Sequence, residues 1–159
     1  MKIKCVAIGK TKNQELISMI KSYISKIEHY INFEFIIIND IKSMKNKKVQ
    51  KNKEGELILD KIKKNEHVIV LDENGKEFNS ILFSNFIQHH MNSSKKEIIF
   101  LIGGAYGFSE KILERANQKI SLSKMTFSHQ MVRILFLEQL YRSFTIIRNE
   151  PYHNNYKKR

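Results

Sequence analysis

Three glycines within five residues, in Leu101-Ile-Gly-Gly-Ala-Tyr-Gly-Phe108, follow the apolar run Ile98–Ile102 and precede Ser109-Glu-Lys-Ile-Leu-Glu-Arg115. A strand that ends in glycines and restarts as a helix leaves bare backbone where a ligand can approach. The segment is not a phosphate loop, because no Gly-Lys-Ser/Thr follows. It also lacks the G-x-G-x-x-G order and the later acidic residue of a dinucleotide fingerprint. From the residues alone it is either a ligand loop or a plain tight turn. A second group lies toward the C-terminus: Ser128-His-Gln-Met-Val-Arg133, then Arg142, Arg148, Tyr152 and His153. Arginine for phosphate, tyrosine for stacking on a base and histidine for proton handling are the chemistry of an RNA-base site. No metal site is expected: His89 and His90 are adjacent and face different sides of a helix, and His29, His67, His129 and His153 lack ligand-spaced partners. No nucleophile elbow or carboxylate pair points to hydrolysis.

The elements that must position these residues alternate. Ile3–Ile8, Phe33–Ile38, His67–Leu71 and Ile98–Ile102 read as strands, with a further apolar stretch at Lys119–Leu122. Between them, apolar residues recur at helical spacing: Leu16 to Ile27, Leu57 to Ile62 within Glu54–Lys64, and Leu82 to His90 behind Ser80 as cap. Asp72-Glu-Asn-Gly75 reads as a turn, Ser109 as an N-cap, and His129 to Arg148 as a long last helix that Pro151 terminates. Strict alternation with strands apolar along their length predicts an α/β fold with a parallel sheet covered on both faces. Ligands in such sheets bind at the carboxyl ends of the strands, so Leu71-Asp72, Gly103–Gly107 and Leu122–Phe127 are expected to converge. The last helix has Val132, Leu135, Phe136 and Leu140 on one side, with Met131, Ile134, Leu137 and Tyr141 on another. A homodimer is the expected explanation, the alternative being a helix wedged centrally in the monomer.

At 159 residues the chain is one domain, 42% hydrophobic, with no apolar run long enough to span a membrane and no leader-like segment, so a cytoplasmic protein is expected. Cys5, the single cysteine, lies in the first apolar run and reads as a buried structural thiol. The net charge of +12 suggests a polyanionic partner, RNA or DNA, the alternative being a merely solvated basic surface. Lys42, Lys45, Lys47, Lys48, Lys51 and Lys53 form either a phosphate-facing patch or a mobile solvated loop.

Val70-Leu-Asp72 with Gly75-Lys76, Leu101-Ile-Gly-Gly104 with Gly107, Leu122-Ser-Lys-Met-Thr-Phe127 leading into His129-Gln-Met-Val-Arg133, Glu138-Gln-Leu-Tyr-Arg142 and Pro151-Tyr-His153 together resemble the RlmH family. These are SPOUT-class methyltransferases acting on N3 of pseudouridine in bacterial large-subunit ribosomal RNA. The resemblance spans essentially the whole chain, including Lys53-Glu-Gly55. It implies a single-domain α/β knot over 1–159, with a C-terminal trefoil knot and the cofactor loops within about 67–150. It also implies a homodimer with the active site near the partner subunit, S-adenosylmethionine as methyl donor, no metal, and a ribosomal RNA or ribosome partner. Leu71, Gly103 and Leu122, Ser123, Lys124, Met125, Thr126 and Phe127 would hold the cofactor. His129, Arg142, Tyr152 and His153 would serve catalysis. In-line methyl transfer from a sulfonium needs positioning more than a nucleophile or metal. The alternatives are a non-enzymatic RNA-binding assembly factor of the same fold and a knotted methyltransferase of tRNA.

Overall fold

The computed structural model describes residues 1–41 and 44–153. Lys42 of the lysine cluster and the tail from Asn154 lie outside the described residues. The elements run β1 (Lys2–Ile8), α1 (Gln14–Glu28), β2 (Asn32–Ile38), α2 (Lys47–Leu59), β3 (His67–Glu77), α3 (Ser80–Asn92), β4 (Glu97–Ile102), α4 (Glu110–Arg115), β5 (Gln118–Ser121) and α5 (His129–Ile147). The five strands form one parallel sheet in the order β2-β1-β4-β3-β5. Period-two alternation divides the core between the two faces. Ile3, Cys5, Ala7, Ile69, Ile98, Phe100, Ile102 and Ile120 pack with α1, α3 and α5. Val6, Ile8, Val68, Val70, Ile99 and Leu101 pack with Ile58 of α2 and Ile112 of α4. Cys5 is fully buried, and burial pushes its thiol pKa up, so it is a packed core group as its apolar context predicts.

Several local details differ from the sequence expectation, each for a physical reason. Helix α2 starts at Lys47 instead of Glu54, because the Asn46 side chain accepts from the Lys48 and Val49 amides and caps it. Lys47, Lys48, Lys51 and Lys53 are therefore on a helix and not in a loop. Asn79, not Ser80, caps α3; the Ser80 hydroxyl donates to Gln139 of α5. Ser109 holds the N-cap position of α4 but makes no capping bond, and among the described residues its buried Oγ has no partner. Strand β3 does not end at Leu71. It leaves the sheet over 72–75 and returns, so that Ile120 of β5 pairs with both Leu71 and Lys76. Gly75 must be glycine there, since a Cβ would sit 2.5 Å from the Ile120 backbone.

Helix α5 packs between α1 and α3, which buries most of both its apolar sides within one chain and leaves Met131 exposed. Ile134, Phe136, Leu137 and Leu140 are all buried in the monomer. The central helix accounts for the pattern that suggested a dimer, and Leu137 and Ile134 are core residues. The helix stops at Arg148, followed by Asn149 in the left-handed conformation at φ 56°, with Pro151 just beyond. Among the described residues no helix is long and apolar enough to cross a membrane.

At the amino-terminal edge of the sheet, His67 and His90 face each other with ring centroids 5.0 Å apart. His90 is 1% exposed, and among the described residues neither of its ring nitrogens has a hydrogen-bond partner. Burial, with Lys95, His67 and His89 nearby, pulls its pKa down to about 4; burial, Lys95 and Arg115 lower His67 as well. Above the ordinary histidine value both folded and unfolded chains are neutral here. Between about 6.5 and about 4 only the unfolded chain binds the proton. Stability is therefore expected to fall by a few kcal/mol as pH drops through that window. Urea unfolding from pH 7.5 to 4 checks this, and His90→Leu should flatten the acid dependence; an equally steep loss in that variant would locate the cause elsewhere.

Candidate active site

At the carboxyl edge of the sheet three loops enclose a cavity of about 790 Å³, within the size range of small-molecule and cofactor sites. Its walls are Leu71 to Asn74 from the excursion of β3, Ile102 to Phe108 after β4, and Ser121, Leu122, Ser123 and Met125 to His129 between β5 and α5. Lys51 of α2, Leu113 and Val132 complete it. Each loop has a local reason for its shape. The Asp72 carboxylate accepts from the Asn74 amide at 2.9 Å, tightening the first. Gly107 has φ 74° and its amide donates to the Gly104 carbonyl at 3.1 Å, closing the second on itself. In the third, the Ser121 hydroxyl donates to the Ser123 carbonyl and the Ser123 hydroxyl accepts from the Met125 amide. The glycine segment is thus both a tight turn and a cavity wall. A Cβ on Gly103 would stand 3.2 Å from the Gly107 backbone, and one on Gly104 would stand 2.7 Å from Glu54 Oε2.

Seven of the eight expected cofactor residues line this cavity: Leu71, Gly103, Leu122, Ser123, Met125, Thr126 and Phe127. Lys124 does not; its side chain is 86% exposed and lies 3.9 Å from the Glu77 carboxylate. Asp72 to Asn74, Tyr106, Ser128 and Lys51 also line it. Of these, Asp72 and Tyr106 were signalled by their place in the two turns, whereas nothing in the linear sequence brings Lys51 there.

The four candidate catalytic residues divide into two places. His129, the first residue of α5, is in the cavity wall behind the Ser128 cap, whose Oγ accepts from the Met131 amide. Partial burial and the neighbouring Arg133 guanidinium lower its pKa, with Asp40 and Glu54 opposing, so the imidazole is neutral at pH 7. Arg142, Tyr152 and His153 are gathered together elsewhere. Arg142 is 13 residues along the helix from His129, about 20 Å at 1.5 Å per residue. Its guanidinium is 4.7 Å from the Tyr152 ring centroid, and its Nη1 lies 3.4 Å from His153 Nδ1. Glu138 organises the cluster by accepting from Arg142 Nε at 2.9 Å and from the Tyr152 hydroxyl at 3.2 Å. The i, i+4 spacing of Glu138 and Arg142 was the available signal for that pair. Burial, the bond to Tyr23 and the Glu138 charge hold the Tyr152 phenol above its ordinary pKa, so it remains protonated.

The family model described as "Predicted SPOUT methyltransferase" matches residues 1–153. A protein of Christiangramia forsetii named Ribosomal RNA large subunit methyltransferase H is 58% identical, covering 97% of this chain and 99% of its own. Proteins of the same name from Flavobacterium johnsoniae and Parabacteroides distasonis are 56% and 49% identical over the same shares. A solved structure described as a hypothetical protein superposes with a TM-score of 0.52 at 12% identity, over 92% of this chain and 68% of that one, a likeness of fold. The match over nearly the whole length, on a parallel sheet whose glycine-rich edge encloses a cofactor-sized cavity, makes this chain a member of the SPOUT methyltransferase family.

Proposed function

We propose that the protein is an S-adenosylmethionine-dependent methyltransferase of large-subunit ribosomal RNA, acting on N3 of a pseudouridine in the cytoplasm as a homodimer. The observation that carries this reading is the glycine-walled cavity of about 790 Å³ in a chain 58% identical to a protein named for that activity. The cavity fits the cofactor chemically: bare backbone at Gly103 and Gly107, the polar side chains of Ser123 and Thr126, and apolar Leu71, Leu122 and Val132 are suited to an adenosine and its thioether arm. When bound, the cofactor supplies an electrophilic methyl on a sulfonium. The C-terminal trefoil knot belongs to the same reading, with the three cavity loops as its crossing segments.

Methylation at N3 requires that the acceptor base lose a proton. His129 is in the cavity wall and neutral at pH 7, which suits it to accept one directly or through water. Arg142, paired with Glu138 and stacked on Tyr152, is a fixed cation beside a partly exposed ring. That arrangement is suited to hold a base and stabilise the charge it develops. Within one chain this cluster is too far from His129 to share a substrate with it. A dimer that brings the cluster of one copy to the cavity of the other resolves the separation. Its apolar contact would come from Met125, Phe127 and Met131 at the cavity rim and Leu82 on α3, which are 71%, 38%, 40% and 51% exposed. These side chains, and not Ile134 and Leu137, are the ones free to meet a second copy. A non-enzymatic assembly factor has no use for a cavity so walled by bare backbone.

Two outcomes follow. Gly103→Val places a branched side chain against Gly107 and is expected to lower cofactor affinity at least tenfold in calorimetry while the fold is kept, as judged by circular dichroism. Unchanged affinity would put the cofactor elsewhere. A chain ending at Glu150 should bind cofactor normally yet transfer no methyl to ribosomes. Mixing it with Gly103→Val under subunit exchange should restore about a quarter of parental activity, since half of the dimers would carry one complete site. No recovery on mixing, with exchange verified, would mean that each chain builds its own site.

A further inference from the structure

We propose that the amino-terminal half of α2 is the surface on which the acceptor RNA docks, with Lys47 and Lys48 on its phosphates and Tyr106 stacking against a base at the mouth of the cavity. This rests on the reading above that the acceptor is RNA. Three observations lead to it. First, the cations stand at the mouth: Lys51 is part of the cavity wall, and Lys47 and Lys48 lie one turn before it on the same helix, both exposed. Among the described residues none of the three is within ion-pair distance of a carboxylate, so their charge is available to a polyanion.

Second, the cations have an aromatic neighbour in the right place. Tyr106, at the tip of the glycine loop, is 36% exposed in the cavity wall, and the Lys47 ammonium lies 5.3 Å from its ring centroid. A cation over a ring restrains both groups, and a partly exposed ring beside lysines is the combination that single-stranded RNA uses for stacking and backbone neutralisation.

Third, α2 is fixed to the glycine loop by contacts closer than ordinary helix packing. Glu54 is 4% exposed; its Oε1 accepts from Gln50 at 3.0 Å and its Oε2 lies against Gly104. Gly55 approaches Ser109 so nearly that a Cβ would be 2.3 Å from the hydroxyl oxygen. One turn of α2 therefore grips both ends of the loop that carries Tyr106, holding the lysines at a set distance from the reacting cavity. A solvated lysine face has no need of this arrangement. Met131 of α5 and Leu82 of α3 belong to helices that pack on the other face of the sheet from α2, so the docking helix is apart from that part of the proposed subunit contact.

The test compares the full-length parent with Lys47→Glu/Lys48→Glu, Tyr106→Phe and Tyr106→Leu. Purified bacterial ribosomes and deproteinised 23S ribosomal RNA serve as the probes. Cofactor binding, RNA binding across a salt series and steady-state methyl transfer are read separately. The double reversal should raise KM for ribosomes about tenfold or more and reduce the slope of log affinity against log salt by about 1.5 for two lost phosphate contacts. Its cofactor affinity should stay within about twofold of the parent's. Tyr106→Leu should raise KM for ribosomes severalfold with cofactor affinity within about twofold of the parent's, and Tyr106→Phe, which keeps the stacking ring, should show a smaller rise. An active parent whose KM and salt slope survive the double reversal overturns the proposal, as does a reversal that weakens cofactor and RNA binding together. A parent that binds RNA through these lysines but transfers no methyl leaves the docking surface standing and overturns the reaction instead. A parent that does neither overturns both.

Discussion

The position of the catalytic edge depends on one buried cation. Arg133, in the second turn of α5, is fully buried. Its guanidinium donates to the Ile8 carbonyl at the end of β1 and to the Thr11 hydroxyl at 2.8 Å. A buried charge is costly unless bonded, and here the bonds are made to the strand end where the chain turns at Gly9, φ 85°. Asp40 stands on the other side of Gly9, its Cβ 3.5 Å from where a glycine side chain would begin and Arg133 Nη2 3.8 Å from that same point. The consequence is geometric. Because Arg133 ties the start of α5 to the middle of the sheet, Ser128, His129 and Val132 are set against the cavity, and burial together with the positive charge that fixes them lowers the His129 pKa.

The other two walls obey the same economy, in which close backbone contact replaces side chains. Gly75 lies on the Ile120 backbone so that β3 can leave the sheet and return, Gly103 abuts Gly107, and Gly104 and Gly55 admit Glu54 and Ser109. The contacts of Gly75 with Ile120 and of Gly103 with Gly107 are rigid because both partners are backbone and no side chain can yield within them. A reaction that depends on holding donor and acceptor in line is served by rigidity of this kind.

Much of the fold was legible in the sequence, since strands apolar along their full length and helices of 3.6-residue period leave few alternatives to a covered parallel sheet. The carboxyl-edge rule brings Leu71, Gly103 and 122–127 together, with Lys124 as the exception, since its side chain is exposed to solvent beside Glu77. What the sequence misread was α5. A helix apolar on two sides looks the same whether its second partner is another subunit or α1 and α3 of the same chain, and Ile134 and Leu137 are buried by the latter. Nor does a linear reading convey that Arg142, Tyr152 and His153 are a separate cluster from His129, because proximity along a helix in sequence becomes distance along its axis. Helix α2 was foreshortened since lysines hide the period at its start, and only the Asn46 cap marks it.

Transfer of a methyl group from this edge to one base of ribosomal RNA can be observed on the RNA itself. The most direct measurement is mass spectrometry of 23S RNA from unmodified ribosomes incubated with the purified protein and isotopically labelled S-adenosylmethionine, digested to nucleosides and oligonucleotides. A single labelled methyl is expected on the base of one pseudouridine, absent when the cofactor is omitted. Label on a ribose hydroxyl, on tRNA added to the same mixture, or on no nucleotide would contradict it.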